Sequence, residues 1–271
     1  IKEAVMKILA AVTRPGTPAF TLEQLELDEP RDDEVLVQIV AAGICHTDLV
    51  AAAGVLPIQP PAVLGHEGAG VVVSTGARVS GLQPGDHVAV SFHSCGECPR
   101  CRRDDPSYCH SFGLLNFTGL REGGSNLHDA SGAAVAGNFF GQSSFASHCV
   151  AHQRNVVKVP RDIPLHLVGP LGCGIQTGFG GVARALACEP GSSLLILGGG
   201  AVGLSAVMAA VVRGCKHIVL SEPHAARRAL ALELGATTVI DPLTEDLQQV
   251  VRGVLPAGVD YAFATSGISA G

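Results

Sequence analysis

Ser193-Leu-Leu-Ile-Leu-Gly-Gly-Gly-Ala-Val-Gly203 decides the fold. A short apolar run bounded by glycines reads as a buried strand, and Gly198, Gly200 and Gly203 open a helix over 204–213. A Gly-X-Gly-X-X-Gly spacing alone is weak, because a glycine turn can serve packing only. Here the context is complete: a strand precedes it, a helix follows, and the next strand, HIVLSE, ends in an acid. That acid, Glu222, stands nineteen positions past Gly203. A carboxylate there would accept hydrogen bonds from a ribose 2′-OH and repel a 2′-phosphate. Alternating helices (225–234, 245–254) and strands (237–240, 259–264) extend a doubly wound, dinucleotide-binding α/β domain, predicted over 166–271.

Upstream the character differs. Residues 1–92 read as short strands with turns: a strand at 35–39, a helical turn at 47–52, and a strand at 87–92 after Pro84-Gly85-Asp86. Residues 113–143 read as an irregular lobe, with closing strands at 145–150 and 155–159. This β-rich part is predicted to span 1–165. Within its 93–112 lobe, Cys95, Cys98, Cys101 and Cys109 are spaced C-x2-C-x2-C-x7-C. Four thiolates on tight turns can close a tetrahedral zinc site of the structural type. A nucleic-acid zinc ribbon is the rival, but Arg102 and Arg103 are mixed with Glu97, Asp104 and Asp105.

A second metal site is assembled from distant stretches. His66 stands in Gly65-His-Glu-Gly-Ala-Gly70, Cys45 in AGICHTDLV and Cys173 in PLGCGIQTG. Each could be an ordinary core or surface residue. Together they are two thiols and an imidazole, a set that leaves the fourth position of a tetrahedral zinc open for chemistry.

The stretch GHEGAGVVVSTGARV matches the signature GHE-x2-G-x5-G-x2-V, and by it the chain resembles the zinc-dependent medium-chain alcohol dehydrogenases. CHTDLV, FFGQSSFA and GPLGCGIQTG are similar to its aryl (benzyl) alcohol branch. The resemblance implies a GroES-like catalytic domain before a Rossmann domain, two zinc ions per chain and NAD. It implies that Thr47 receives the substrate proton, that Asp48 orients the ligand histidine and that Glu67 lies behind the zinc. His46, Thr177, Val202 and Arg227 match cofactor-contacting positions, while Phe92 and Phe139 match pocket-lining ones. Where many relatives carry a proton-relay histidine, five residues after the first cysteine ligand, this chain has Val50. The expected reaction is oxidation of a primary aryl or allylic alcohol to the aldehyde. The alternatives are a sugar-alcohol or S-(hydroxymethyl)glutathione dehydrogenase, or an inactive zinc- and nucleotide-binding relative.

Composition narrows the partners. The net charge of −6, with basic residues scattered, argues against nucleic acid. No apolar run approaches the ~20 residues of a membrane span, and the first residues lack a signal-peptide pattern. Nine cysteines are an odd number, and six sit at metal positions, which fits a reducing cytoplasm. A doubly wound fold needs about six parallel strands, and four are countable after residue 192. The expectation is therefore an N-terminal portion of a longer, homo-oligomeric enzyme, with 271 residues alone being poorly active and prone to associate.

Overall fold

The computed structural model describes residues 5–266. Residues 267–271, part of the terminal segment on which the expectation of a missing second half rests, lie outside the described residues. The chain divides into two compact units, Ile1–Cys173 and Gly174–Gly271.

The first unit begins with a long hairpin, β1 (Val5–Arg14) and β2 (Thr17–Asp28), paired antiparallel through ten register positions. This corrects the expectation of short strands only. Ile8, Ala10 and Val12 alternate into the core against Leu25 and Leu27, as a pleated strand requires. β3 (Glu34–Ala42) leads to the short α1 (His46–Ala52), then to β4 (Ala62–Val63), β5 (Gly68–Thr75) and β6 (His87–Val90). After the cysteine lobe come α2 (Phe112–Phe117), β7 (Leu127–His128), β8 (Ala134–Val135), β9 (His148–His152) and β10 (Val156–Lys158). The stretch 113–143 is thus less irregular than its glycines and serines suggest. Among the described residues these strands form two sheets, ordered β4-β1-β2-β7-β8 and β10-β6-β5-β3-β9.

Arg121 ties its loop to both sheets, through β2 of the first and β3 of the second. Its guanidinium, 9% exposed, pairs with Asp28 at 2.6 Å and Glu34 at 2.7 Å. The unit continues past residue 165 to Cys173, because Leu165 and Val168 bury themselves against Ala69 and Ala89. Ser91 Oγ then donates to the Gly172 carbonyl at 2.9 Å.

The second unit opens with α3 (Gly174–Gly180) and a single π-turn, Gly181–Ala185. β11 (Ser193–Leu197), α4 (Ala201–Arg213), β12 (His217–Ser221), α5 (Ala225–Glu233), β13 (Thr238–Ile240), α6 (Leu247–Val254) and β14 (Tyr261–Ala264) follow. The described strands pair in parallel in the order β13-β12-β11-β14, the 3-2-1-4 order of a doubly wound sheet as far as its fourth strand. α4 ends on Gly214 at φ 76°, a left-handed cap that glycine adopts without strain. Its inner face, Ala206, Val207, Ala209 and Ala210, packs with Leu194, Ile196, Ile218 and Leu220 of β11 and β12. Small side chains let this helix lie close to the sheet. No helix among the described residues is long and apolar enough to cross a membrane.

Candidate metal centre and dinucleotide loop

Donor atoms of Cys45, His66, Glu67 and Cys173 all lie within 4.8 Å of one another in the first unit. Three local structures bring them there. Cys45 caps α1, and its N–H donates to Asp48 Oδ2 at 3.0 Å. His66 follows Gly65, whose φ of 90° and tight approach to the Phe145 backbone leave no room for a side chain. Cys173 ends a 3-10 turn in which a Cβ on Gly172 would come within 2.3 Å of the Val90 carbonyl.

Asp48 organises the centre although it is fully buried. Besides Cys45 N–H it accepts Gly65 N–H at 3.0 Å and His66 Nδ1–H at 2.9 Å. With Nδ1 committed, Nε2 is turned to Cys173 Sγ at 3.2 Å. Burial works against charge on His66, yet the hydrogen bonds to Asp48 and Cys45 raise it to about 9. The Cys45 thiol lies well below its ordinary value, chiefly because Cys173 and then His66 hydrogen-bond to it. Cys173 is correspondingly pushed up by Cys45 and by burial. Two sulfurs and an oriented imidazole nitrogen form a donor set that suits zinc, and the residues fit the ion. Glu67, 5% exposed, presses against Gly43, where a Cβ would meet its Oε2 at 2.0 Å.

Sequence reasoning missed Gln142. Its amide is fully buried: Nε2 donates to the carbonyls of His66, Val90 and Ser91 at 3.0, 3.3 and 3.2 Å, and Oε1 accepts Gly68 N–H at 3.1 Å. It therefore splints the His66 loop to β6. The flanking backbone is strained, with Phe140 at φ 50° and Ser143 at φ 53°. Only the similarity of FFGQSSFA to a known branch pointed at this segment.

Phe139 is fully buried among Ala51, Ile58, Ala62, Leu64 and Ala136, so its ring is core. Its neighbour Phe140 is the half-buried one and stacks on His66 at 4.4 Å and 24°. Phe117 and Phe112 contact Phe140 edge-on, and Phe92 leans on Phe112 at 5.5 Å. Thr47 is half-buried, with Oγ1 3.6 Å from Cys45 Sγ. His46 is exposed at the start of α1, and Val50 is half-buried.

Cys95, Cys98, Cys101 and Cys109 also converge, their sulfurs within 4.8 Å. Cys98 is lowered to about 6 by the backbone N–H groups of Cys101 and His110, whereas burial pushes Cys101 up to about 11. A left-handed turn at Asp104 folds the lobe back between its third and fourth cysteines. Four thiols with backbone N–H support fit a closed zinc site.

In the second unit the dinucleotide loop has the form the sequence implied. Gly198 sits at φ 101°. A Cβ on Gly203 would strike the Gly198 carbonyl at 1.9 Å, whereas one on Gly200 would meet nothing within 4 Å. The turn is thus closed toward the helix and open outward, where a pyrophosphate needs room. Glu222, 3% exposed, accepts Gly199 N–H at 2.7 Å and His224 N–H at 2.9 Å. Burial opposes its ionisation, but these donors, the His224 imidazole and Arg227 hold it below the usual carboxylate range. Val202 is half-buried, while Thr177 and Arg227 are exposed.

Comparison with known proteins agrees with this geometry. Residues 31–161 match the alcohol dehydrogenase GroES-like domain, and residues 201–270 match the zinc-binding dehydrogenase domain. A geraniol dehydrogenase of Castellaniella defragrans is 47% identical over 261 residues, which cover 96% of this chain and 70% of the relative. A zinc-binding alcohol dehydrogenase domain protein from Burkholderia ambifaria superposes with a TM-score of 0.95 at 46% identity, over 98% of this chain and 72% of that one. The benzyl alcohol dehydrogenase of Acinetobacter calcoaceticus gives 0.91 at 42%, over 97% and 71%.

Proposed function

Because the chain belongs to the zinc-dependent medium-chain alcohol dehydrogenases, which use zinc and a nicotinamide dinucleotide, we propose that its substrate is a primary aryl or allylic alcohol, oxidised to the aldehyde at a zinc held by Cys45, His66 and Cys173. The convergence of those donors on an Asp48-oriented imidazole carries the reading. Zinc supplies a Lewis acid that makes an alcohol hydroxyl more acidic, and NAD supplies the hydride acceptor.

The chain's own groups do the rest. Asp48 holds the Nδ1–H tautomer and keeps the imidazole from turning. Thr47 Oγ, beside Cys45, accepts the hydroxyl proton as it passes its own proton on, acting as a relay and not as a base. Val50 offers that proton no titratable successor, so it leaves by water. Glu67 backs the donor set, and Cys95, Cys98, Cys101 and Cys109 hold the second, structural zinc. Gly198, Gly200, Val202 and Gly203 would cradle the pyrophosphate, and Glu222 and Arg227 would take the adenosine ribose; the family resemblance adds His46 as a further cofactor-contacting residue. Thr177 matches the family position that would stand beside the nicotinamide.

The substrate class rests on two relatives whose names specify a hydroxyl one carbon from a π-system, geraniol and benzyl alcohol. Phe140, Phe92, Phe112 and Phe117 add an aromatic group beside His66 that suits such a substrate. Steady-state assays with benzyl alcohol, geraniol, ethanol and sorbitol test it: the first two are expected to show the higher kcat/KM, and faster sorbitol turnover would overturn the assignment. A homo-oligomer, dimer or tetramer, follows from the family resemblance and is checked by size-exclusion chromatography. Nine cysteines without a disulfide, six of them in the two clusters, support a reducing, cytoplasmic setting.

A further inference from the structure

We propose that His224 sets how strongly the enzyme discriminates between NAD and NADP, by competing with the adenosine ribose for Glu222. The inference rests on the assignment of Glu222 to the ribose. Both oxygens of that carboxylate are engaged within the protein. Oε2 accepts Gly199 N–H at 2.7 Å and faces Arg227 Nη1 at 3.7 Å. Oε1 accepts His224 N–H at 2.9 Å and the His224 imidazole Nδ1–H at 2.5 Å. The two backbone donors are fixed. Position 199 has to be glycine for this contact, since a Cβ there would lie 2.9 Å from Glu222 Cγ.

The movable partners are the two exposed side chains, His224 at 67% and Arg227 at 51%. A ribose diol that approaches Glu222 must displace the imidazole from Oε1, which is a charge-assisted hydrogen bond to lose. A 2′-phosphate meets the opposite balance. It is repelled by the carboxylate, but the imidazole N–H and the Arg227 guanidinium are donors within reach of the same position. Arg228 is not available for this role. Its Nη1 donates to the carbonyls of Glu222 and Pro223, and its Nη2 pairs with Asp241 at 3.0 Å. His224 therefore weakens the hold on NAD and softens the rejection of NADP with one side chain.

Isothermal titration calorimetry with NADH and with NADPH, on the wild-type chain and on His224→Ala, His224→Gln and Glu222→Ala, tests the idea without any turnover. His224→Ala is expected to raise the NADH-over-NADPH affinity ratio about fivefold, the size of one exposed charge contact, through tighter NADH and weaker NADPH. His224→Gln, which keeps a donor but not the imidazole, should fall between it and the wild type. Glu222→Ala should collapse the ratio. If His224→Ala leaves the ratio within twofold of wild type while Glu222→Ala collapses it, the role of His224 is refuted and that of Glu222 stands. If neither changes it, the ribose assignment itself fails. His224 is a surface residue, and matching thermal melts of the variants establish that they are folded.

Discussion

At the scale of single residues, Asp48 matters more than any donor it positions. It is fully buried and accepts three hydrogen bonds from three different residues, one of them the His66 imidazole. Asp48→Asn keeps the volume but replaces one acceptor oxygen by a donor, facing N–H groups that cannot accept. Such an orienting partner typically contributes ten- to a hundredfold to metal affinity. We therefore expect zinc affinity to fall by about tenfold or more, measured by chelator competition. Unfolding stability should fall by about 2 kcal/mol, measured by urea titration. Unchanged chelator competition would show that His66 is oriented by something else. Cys45, His66 and Cys173 were singled out of nine cysteines and eleven histidines by the glycine-framed motifs around them, which resemble a known family's. Gln142 was not, since a lone glutamine carries no spacing signature and its four partners come from strands and loops far apart in the chain. Phe139 and Phe140 could not be told apart by type. Both rings meet His66, Phe139 edge-on at 5.8 Å and Phe140, at positive φ, stacked at 4.4 Å, and backbone sign is invisible in a pair of identical residues.

At the scale of elements, the two cysteine clusters differ in what they would support. The sulfurs at 95, 98, 101 and 109 hold a lobe whose own helices are single 3-10 turns and whose core is small, so metal and lobe stand or fall together. Cys101→Ser is expected to lower the thermal midpoint and leave one zinc per chain. Cys173→Ser should also leave one zinc but melt close to wild type, with activity lost, because the segment 165–172 remains anchored through Val168 and Ser91. Metal analysis beside calorimetry checks both, and fewer than two zincs in the folded wild type would defeat the assignment. The units β11–α4 and β12–α5 were legible to within three residues at each end, since buried strands, glycine punctuation and helical spacing all agree there. The β1–β2 hairpin was underestimated because Val5 and Leu9 are apolar yet exposed, which blurs the two-residue period that marks a strand. Two-residue strands such as β7 and β8 exist only through their pairing, so no local pattern announces them.

At the scale of the whole molecule, several carboxylates lie below their ordinary values in the fold: Asp86 through Lys158, Asp129 through Ser131 and Asp260 through Ser193, besides Glu222. A depressed folded value means stability that is present above the unfolded value, about 4, and is lost as pH falls through the folded one. The carboxylate contribution should therefore hold from pH 7 to about 5 and be lost below about pH 4, on top of an earlier decline that starts near pH 6.5, because burial resists protonation of His93, His148 and His152 in the fold. Asp260 receives Ser193 N–H at 2.8 Å and Ser193 Oγ–H at 2.6 Å, joining the starts of β11 and β14. Asp260→Asn should be less stable than wild type at pH 7 and should lose less on acidification, as differential scanning calorimetry at pH 7 and 3.5 would show. Equal losses would mean that this carboxylate does not contribute to the acid limb. The position of Cys173, at the very end of the first unit, has a consequence for biosynthesis. The lobe cysteines are complete once residue 109 has left the ribosome, but the other cluster waits for a donor 107 residues beyond His66. At ordinary translation rates the intervening 64 residues (173 − 109) take about 3–13 s. On the proposed assignments, metal loading would be staged by synthesis itself: the four-cysteine site could be filled on a nascent chain, while the Cys45, His66 and Cys173 site would wait until residue 173 has emerged.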